Sequence, residues 1–120
     1  ISIQNSSHWQ SVIEAMVEVV HGKRGTARHI GTDLPFQIAG KTGTAQVFGI
    51  AKDAKYDEEL LAKKLHDHAL FVAFAPADDP EIAIAVVVEN GGSGSATAAP
   101  IARKLIDVYF GIETDEPVTE

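Results

Sequence analysis

Apolar positions along this chain follow two rhythms. In "SHWQSVIEAMVEVVHG", residues 7–22, Trp9, Ile13, Met16 and Val20 recur at three- and four-residue steps, which predicts an amphipathic helix with Trp9 and Met16 in the core. Ser7 and Gln10 form a capping-box pattern at its start, and Gly22 and Gly25 stop it. From Lys23 to Pro35 the polarity is mixed, as in a connector, with a short extended piece expected at "TARHI".

The second rhythm is that of strands. Phe36, Ile38 and Val47 favour extended backbone, and Thr42 and Thr44 alternate between them. "ALFVAFAP" and "EIAIAVVVENGG" are nearly continuous apolar runs separated by the turn Pro76-Ala77-Asp78-Asp79-Pro80, which predicts an antiparallel hairpin. Apolar runs without alternation predict burial on both faces, with helices on either side. Between the first strand and the hairpin, "DEELLAKKLHD" at residues 57–67 predicts a helical insert, supported by Glu59 four residues before Lys63. A last helix is expected from about Ala96. It carries Ile101, Leu105, Val108 and Tyr109 along one side, tolerates Pro100 in its first turn and ends at Gly111. The acidic tail at 113–120 is expected to fray. Helix, strand, helical insert, strand, strand and helix make an α+β fold, an antiparallel sheet flanked by helices.

Composition narrows the function. The chain has 120 residues, enough for one small core, and 45% of them are hydrophobic. A net charge of −7 argues against nucleic-acid binding and against anionic membrane surfaces. There is no Cys, so disulfides and thiolate metal sites are excluded. His66 and His68 straddle Asp67 without a third ligand, so no metal or cofactor is expected, and Asp67 and His68 are read as fixing the exit of the insert. The glycine-rich "ENGGSGS" reads as a connector, and the acidic "YDEELL" as an exposed helix face.

One stretch carries chemistry. Gly40-Lys41-Thr42 within "IAGKTGTAQV" matches the end of a phosphate-binding loop, G-x-x-x-x-G-K-[ST]. Five residues before Gly40 stands Pro35, which has no N–H for a phosphate, and after Thr42 the pattern continues as a strand where a helix must begin. The nucleotide reading fails on both counts. On the edge of an antiparallel sheet, the same residues suit an extended peptide that ends in a carboxylate. Lys41 supplies a fixed positive charge, and Thr42 and Thr44 donate from one face. Gly43 admits the substrate backbone for strand addition, and the Thr44 N–H is available to an oxyanion.

K-T-G also belongs, with S-x-x-K and S-D-N, to serine acyl-transfer enzymes. With "AGKTGTAQVFG", "DHALFVAFAP", "IAIAVVVENGGSG" and the closing helix in order, the chain resembles the C-terminal part of a class B penicillin-binding protein transpeptidase domain, in the rod-elongation branch. The likeness runs from Trp9 to about Phe110, so residues 1–112 are expected to be the C-terminal portion of that domain. It implies a five-stranded sheet to which this chain gives the third, fourth and fifth strands. It also implies D,D-transpeptidation of peptidoglycan stem peptides, inhibition by β-lactams, and work at the periplasmic face of the bacterial inner membrane beside elongation-complex membrane proteins. Lys41, Thr42, Gly43 and Thr44 would hold the substrate, with Lys41 and Thr44 also serving catalysis.

The six serines, at 2, 6, 7, 11, 93 and 95, have no Lys three residues on and no Asn two residues on. The nucleophile and its lysine are therefore expected in an upstream portion of the same domain, without which the chain is inactive. A serine β-lactamase fragment and a non-catalytic peptide-binding module are the alternatives.

Overall fold

A computed structural model describes residues 2, 4–47 and 66–112. Its elements are α1 (Ser6–His21), a 3-10 turn (Arg28–Ile30), β1 (Ala39–Ala45), β2 (His68–Ala75), β3 (Ile82–Val88), and a π-helical turn (Gly94–Ala98) that runs into α2 (Ala99–Phe110). The α+β order is as expected from sequence. "TARHI" is not extended. Ala27 and Ile30, three apart, both turn into the core, and a tight turn achieves this where an extended segment would point them apart.

The strands form one antiparallel sheet in the order β1-β2-β3. Thr42 pairs with Phe71, Thr44 with Ala69 and Ala45 with His68 across β1 and β2. Ala69 pairs with Val88, and Phe71 with Val86, across β2 and β3. One face of the sheet is therefore Ala69, Phe71, Ala73 and Ala75 of β2 beside Ile82, Ile84, Val86 and Val88 of β3. Against it pack Val19 and Val20 of α1, Ala27, Ile30 and Ile38 of the connectors, and Ala99, Ala102 and Ile106 of α2. The opposite face remains partly open among the described residues: Val72 is 47% and Val87 62% exposed. Among the described residues the two-sided burial inferred from the apolar runs is not seen, because the buried residues of both helices join a single cluster on one face.

Both helices differ in detail from expectation. The N-cap of α1 is Asn5, whose Oδ1 accepts from the Ser7 N–H at 2.9 Å, and Gln10 bonds Glu14 rather than reaching back. Asn and Ser cap equally well, so the earlier residue wins by position. Trp9 is 53% exposed while Val20 is fully buried, so α1 docks by its C-terminal end, with Met16 half-buried. In α2 the apolar side made by Ile101, Leu105, Val108 and Tyr109 is exposed. The buried side holds Ala99, Ala102, Ile106 and Asp107, and its two alanines let the helix lie close to the alanine-rich face of β2. Gly111, with φ of 65°, ends the helix as expected.

The helix expected at 57–67 lies outside the described residues except for His66 and Asp67, which are not helical. The tail at 113–120 also lies outside them.

Candidate functional site

Lys41, Thr42, Gly43 and Thr44 sit in the middle of β1, an edge strand. Antiparallel pairing with Val72, Phe71, Leu70 and Ala69 fixes their alternation. Thr42 and Thr44 share one face, and Lys41 and Gly43 the other. Lys41 and Thr44 are exposed, and Thr42 and Gly43 are half-buried. On a pleated strand the two threonines stand about 7 Å apart, a gap that a carboxylate spans by accepting one short hydrogen bond at each oxygen.

The Lys41 ammonium folds back to donate to the Thr42 carbonyl at 2.6 Å. Among the described residues no carboxylate pairs with it, so its charge is not already neutralised by an acid. Thr42 Oγ1 lies 3.1 Å from Thr26 Oγ1, early in the connector after α1. Ser95 Oγ in turn donates to the Thr26 carbonyl, which ties the π-helical turn to the same point.

Close packing holds the strand from behind. A Cβ on Gly94 would stand 2.3 Å from the Gly43 carbonyl oxygen and 2.4 Å from that of Leu70, so only a glycine lets this turn lie on the strand backbone. A Cβ on Gly43 itself would meet Leu70, its Cβ at 3.3 Å and its Cδ1 at 3.9 Å, on the other face.

His21 anchors the entry to β1. Its Nε2 accepts from the Ile38 N–H at 2.9 Å, which requires the neutral ring with its proton on Nδ1. Burial pulls this imidazole below its ordinary 6.5, because the charged form is poorly solvated there. At the other end, His68 Nδ1 accepts from the Asn90 N–H at 2.9 Å and the Asp67 carbonyl from the Gly92 N–H at 2.8 Å. These contacts fasten the start of β2, the role expected of Asp67 and His68. Among the described residues no His or carboxylate cluster has the makings of a metal site.

Sequence reasoning singled out the Lys41–Thr44 run and the structure brings it together on one edge. It missed Thr26, Ser95 and His21. Thr26 and Ser95 lie 16 residues before Thr42 and 69 residues after Thr26 respectively, and no local pattern marks either. A histidine in the last turn of a helix gives no sign that its acceptor serves a strand 17 residues on.

A family model for the penicillin-binding protein transpeptidase domain matches residues 3–107. The chain is 46% identical over 102 residues to the peptidoglycan D,D-transpeptidase MrdA of Haemophilus influenzae, covering 85% of this chain and 16% of that protein. Its identity to MrdA of Acinetobacter baumannii is 48% over 110 residues, 92% of this chain and 16% of the relative. The chain thus spans about one sixth of the length of these relatives.

Among solved structures, Pseudomonas aeruginosa PBP2 in complex with WCK 5153 superposes with a TM-score of 0.75 at 41% identity, over 99% of this chain and 23% of that one. PBP2 of Helicobacter pylori in complex with MreC gives 0.71 at 28% identity, over 93% and 19%. Penicillin-binding protein A from M. tuberculosis, as its ceftriaxone acyl-enzyme complex, gives 0.56 at 38% identity, over 80% and 19%.

Proposed function

Because the chain belongs to the penicillin-binding protein transpeptidase family, we propose that it forms the substrate-holding edge of a peptidoglycan D,D-transpeptidase. The observation that carries this reading is the Lys41-Thr42-Gly43-Thr44 run on an edge strand, with both threonines on one face and the lysine unpaired by any acid among the described residues. A stem peptide adds to the free edge of β1, passing over Gly43, and its terminal carboxylate takes hydrogen bonds from Thr42 and Thr44. Lys41 supplies positive potential beside them and favours the anionic states of the reaction. The Thr44 N–H helps stabilise the oxyanion.

The nucleophile comes from an upstream S-x-x-K portion of the same domain, and the second serine from an S-x-N element there. The serine oxygen bonds to the penultimate D-Ala carbonyl carbon, the peptide C–N bond breaks, and the terminal D-Ala leaves with the proton. The amine nitrogen of a neighbouring stem then bonds to the acyl carbon, the ester C–O bond breaks, and a proton from the amine returns to the serine oxygen. β-Lactams present a similar carboxylate and carbonyl and acylate the same serine, in keeping with the acyl-enzyme of the M. tuberculosis relative. The work takes place at the periplasmic face of the inner membrane, with elongation proteins such as MreC, the partner of the H. pylori relative, as neighbours.

Intact-mass measurement with a penicillin tests this reading. An adduct is expected on the complete domain, at a serine outside this chain, and none on residues 1–120 alone. An adduct on this chain, or no adduct on the complete domain, refutes it.

A further inference from the structure

A threonine hydroxyl has one proton to give and two lone pairs to receive. Thr42 Oγ1 lies 3.1 Å from Thr26 Oγ1, within hydrogen-bond distance, and either oxygen can donate. If Thr42 donated to Thr26, it would have no proton left for an anion. A carboxylate is the stronger acceptor, because hydrogen bonds to a charged oxygen are roughly twice as strong as neutral ones. With a carboxylate present, the Thr42 proton therefore turns to it, and the lone pair facing Thr26 receives a proton from that side.

We propose that Thr26 is a positioning residue for the carboxylate-binding hydroxyl of Thr42: it donates to Thr42 Oγ1 and thereby directs the Thr42 proton outward onto the substrate. The inference rests on the proposed role of β1.

The surroundings of Thr26 suit that task. Its carbonyl accepts from Ser95 Oγ. Ala27, the next residue, is fully buried and its N–H bonds the Val19 carbonyl at 3.0 Å. On the other side the Gly25 N–H bonds the Gly22 carbonyl at 3.0 Å. The backbone is thus held before, at and after Thr26, so an exposed side chain is carried on a fixed support. Donation from Thr26 also polarises the Thr42 hydroxyl and strengthens it as a donor. The effect is greatest toward a charged acceptor, so Thr26 contributes to selection of an anionic carboxylate over a neutral group of similar shape.

The test uses the complete transpeptidase domain and two probes, benzylpenicillin and its methyl ester, with acylation followed by intact mass over time. In this step the serine oxygen bonds to the lactam carbonyl carbon, the lactam C–N bond breaks and the nitrogen takes the serine proton, so the whole probe mass is added. Thr26→Val is expected to slow acylation by the free acid by about tenfold. The same variant should leave the ester rate within about twofold of the parent, the range of a surface substitution. Thr26→Ser, which keeps the hydroxyl, should restore the free-acid rate. An unchanged free-acid rate in Thr26→Val, or equal slowing of both probes, overturns the proposal. Lys41→Ala in the same domain separates the two levels. If it leaves free-acid acylation intact, the role of β1 itself falls. If it abolishes acylation while Thr26→Val does not slow it, only the role of Thr26 falls.

Discussion

At the scale of single residues, two glycines three positions apart in β1 do different work. A Cβ on Gly40 would stand 2.6 Å from Phe71 Cζ and 3.3 Å from Val20 Cγ2, inside the core. Gly40→Ala is therefore expected to cost about 1–3 kcal/mol by overpacking, read as a lower denaturation midpoint of the complete domain. Gly43→Ala meets the Leu70 side chain, its Cβ at 3.3 Å, away from the core. It should change stability little and yet slow penicillin acylation by obstructing the backbone approach, and equal stability losses in the two variants would contradict that division. His21 yields a pH dependence with a definite sign. Its folded pKa lies below 6.5, so the unfolded chain binds the proton more readily. The stability it supports is complete above 6.5, declines as pH falls below that value, and is lost once pH passes the folded value. Protonation also removes the acceptor for the Ile38 N–H. Melting temperature should fall more between pH 7.5 and 5.5 in the parent domain than in His21→Gln, and parallel curves would exclude the effect.

At the scale of elements, the most consequential tie joins α2 to the connector before β1. Arg103 Nε donates to both oxygens of Asp107, at 2.8 and 2.9 Å, and its Nη1 to the carbonyls of Ile30 and Thr32, each at 2.7 Å. Asp107 is only 3% exposed. Arg103→Met leaves a buried carboxylate unpaired and is expected to cost about 3 kcal/mol, measurable by urea denaturation. Asp107→Asn with Arg103→Met should recover part of the loss. This tie also explains where sequence reading stops. Strands were legible because Phe71, Val72 and the Ile82–Val88 run favour sheet and the turn between them is marked by proline and aspartate. The K-T-G run was legible because its residue types and its place in a strand agree. The buried side of α2 was not, because closeness of approach by Ala99 and Ala102 outweighs side-chain bulk, and because a buried Asp107 is disguised as a surface residue until Arg103 is seen beside it. Thr26 was hidden for a related reason: its partners are set by how three elements meet.

At the scale of the whole molecule, apolar surface remains open among the described residues, at Trp9 and Val12 of α1 and more extensively on the sheet and α2. Val72 and Val87 face outward from the sheet, and Ile101, Leu105, Val108 and Tyr109 line the outer side of α2, with Val108 81% exposed. Continuous patches of this kind drive association. Residues 1–120 alone are expected to self-associate in light scattering, and to do so less when the remainder of the domain is supplied. A strictly monomeric chain at high concentration would contradict this.

The register of β1 with β2 has a further consequence. Ala45 and His68 are paired, so the chain leaves the sheet and returns to it at facing positions. A change in the number of residues between these two positions therefore leaves the pairing of β1 with β2 in register. A label or a short turn set between them is thus expected to leave Thr42 opposite Phe71 and Thr44 opposite Ala69, without moving either threonine by a single place.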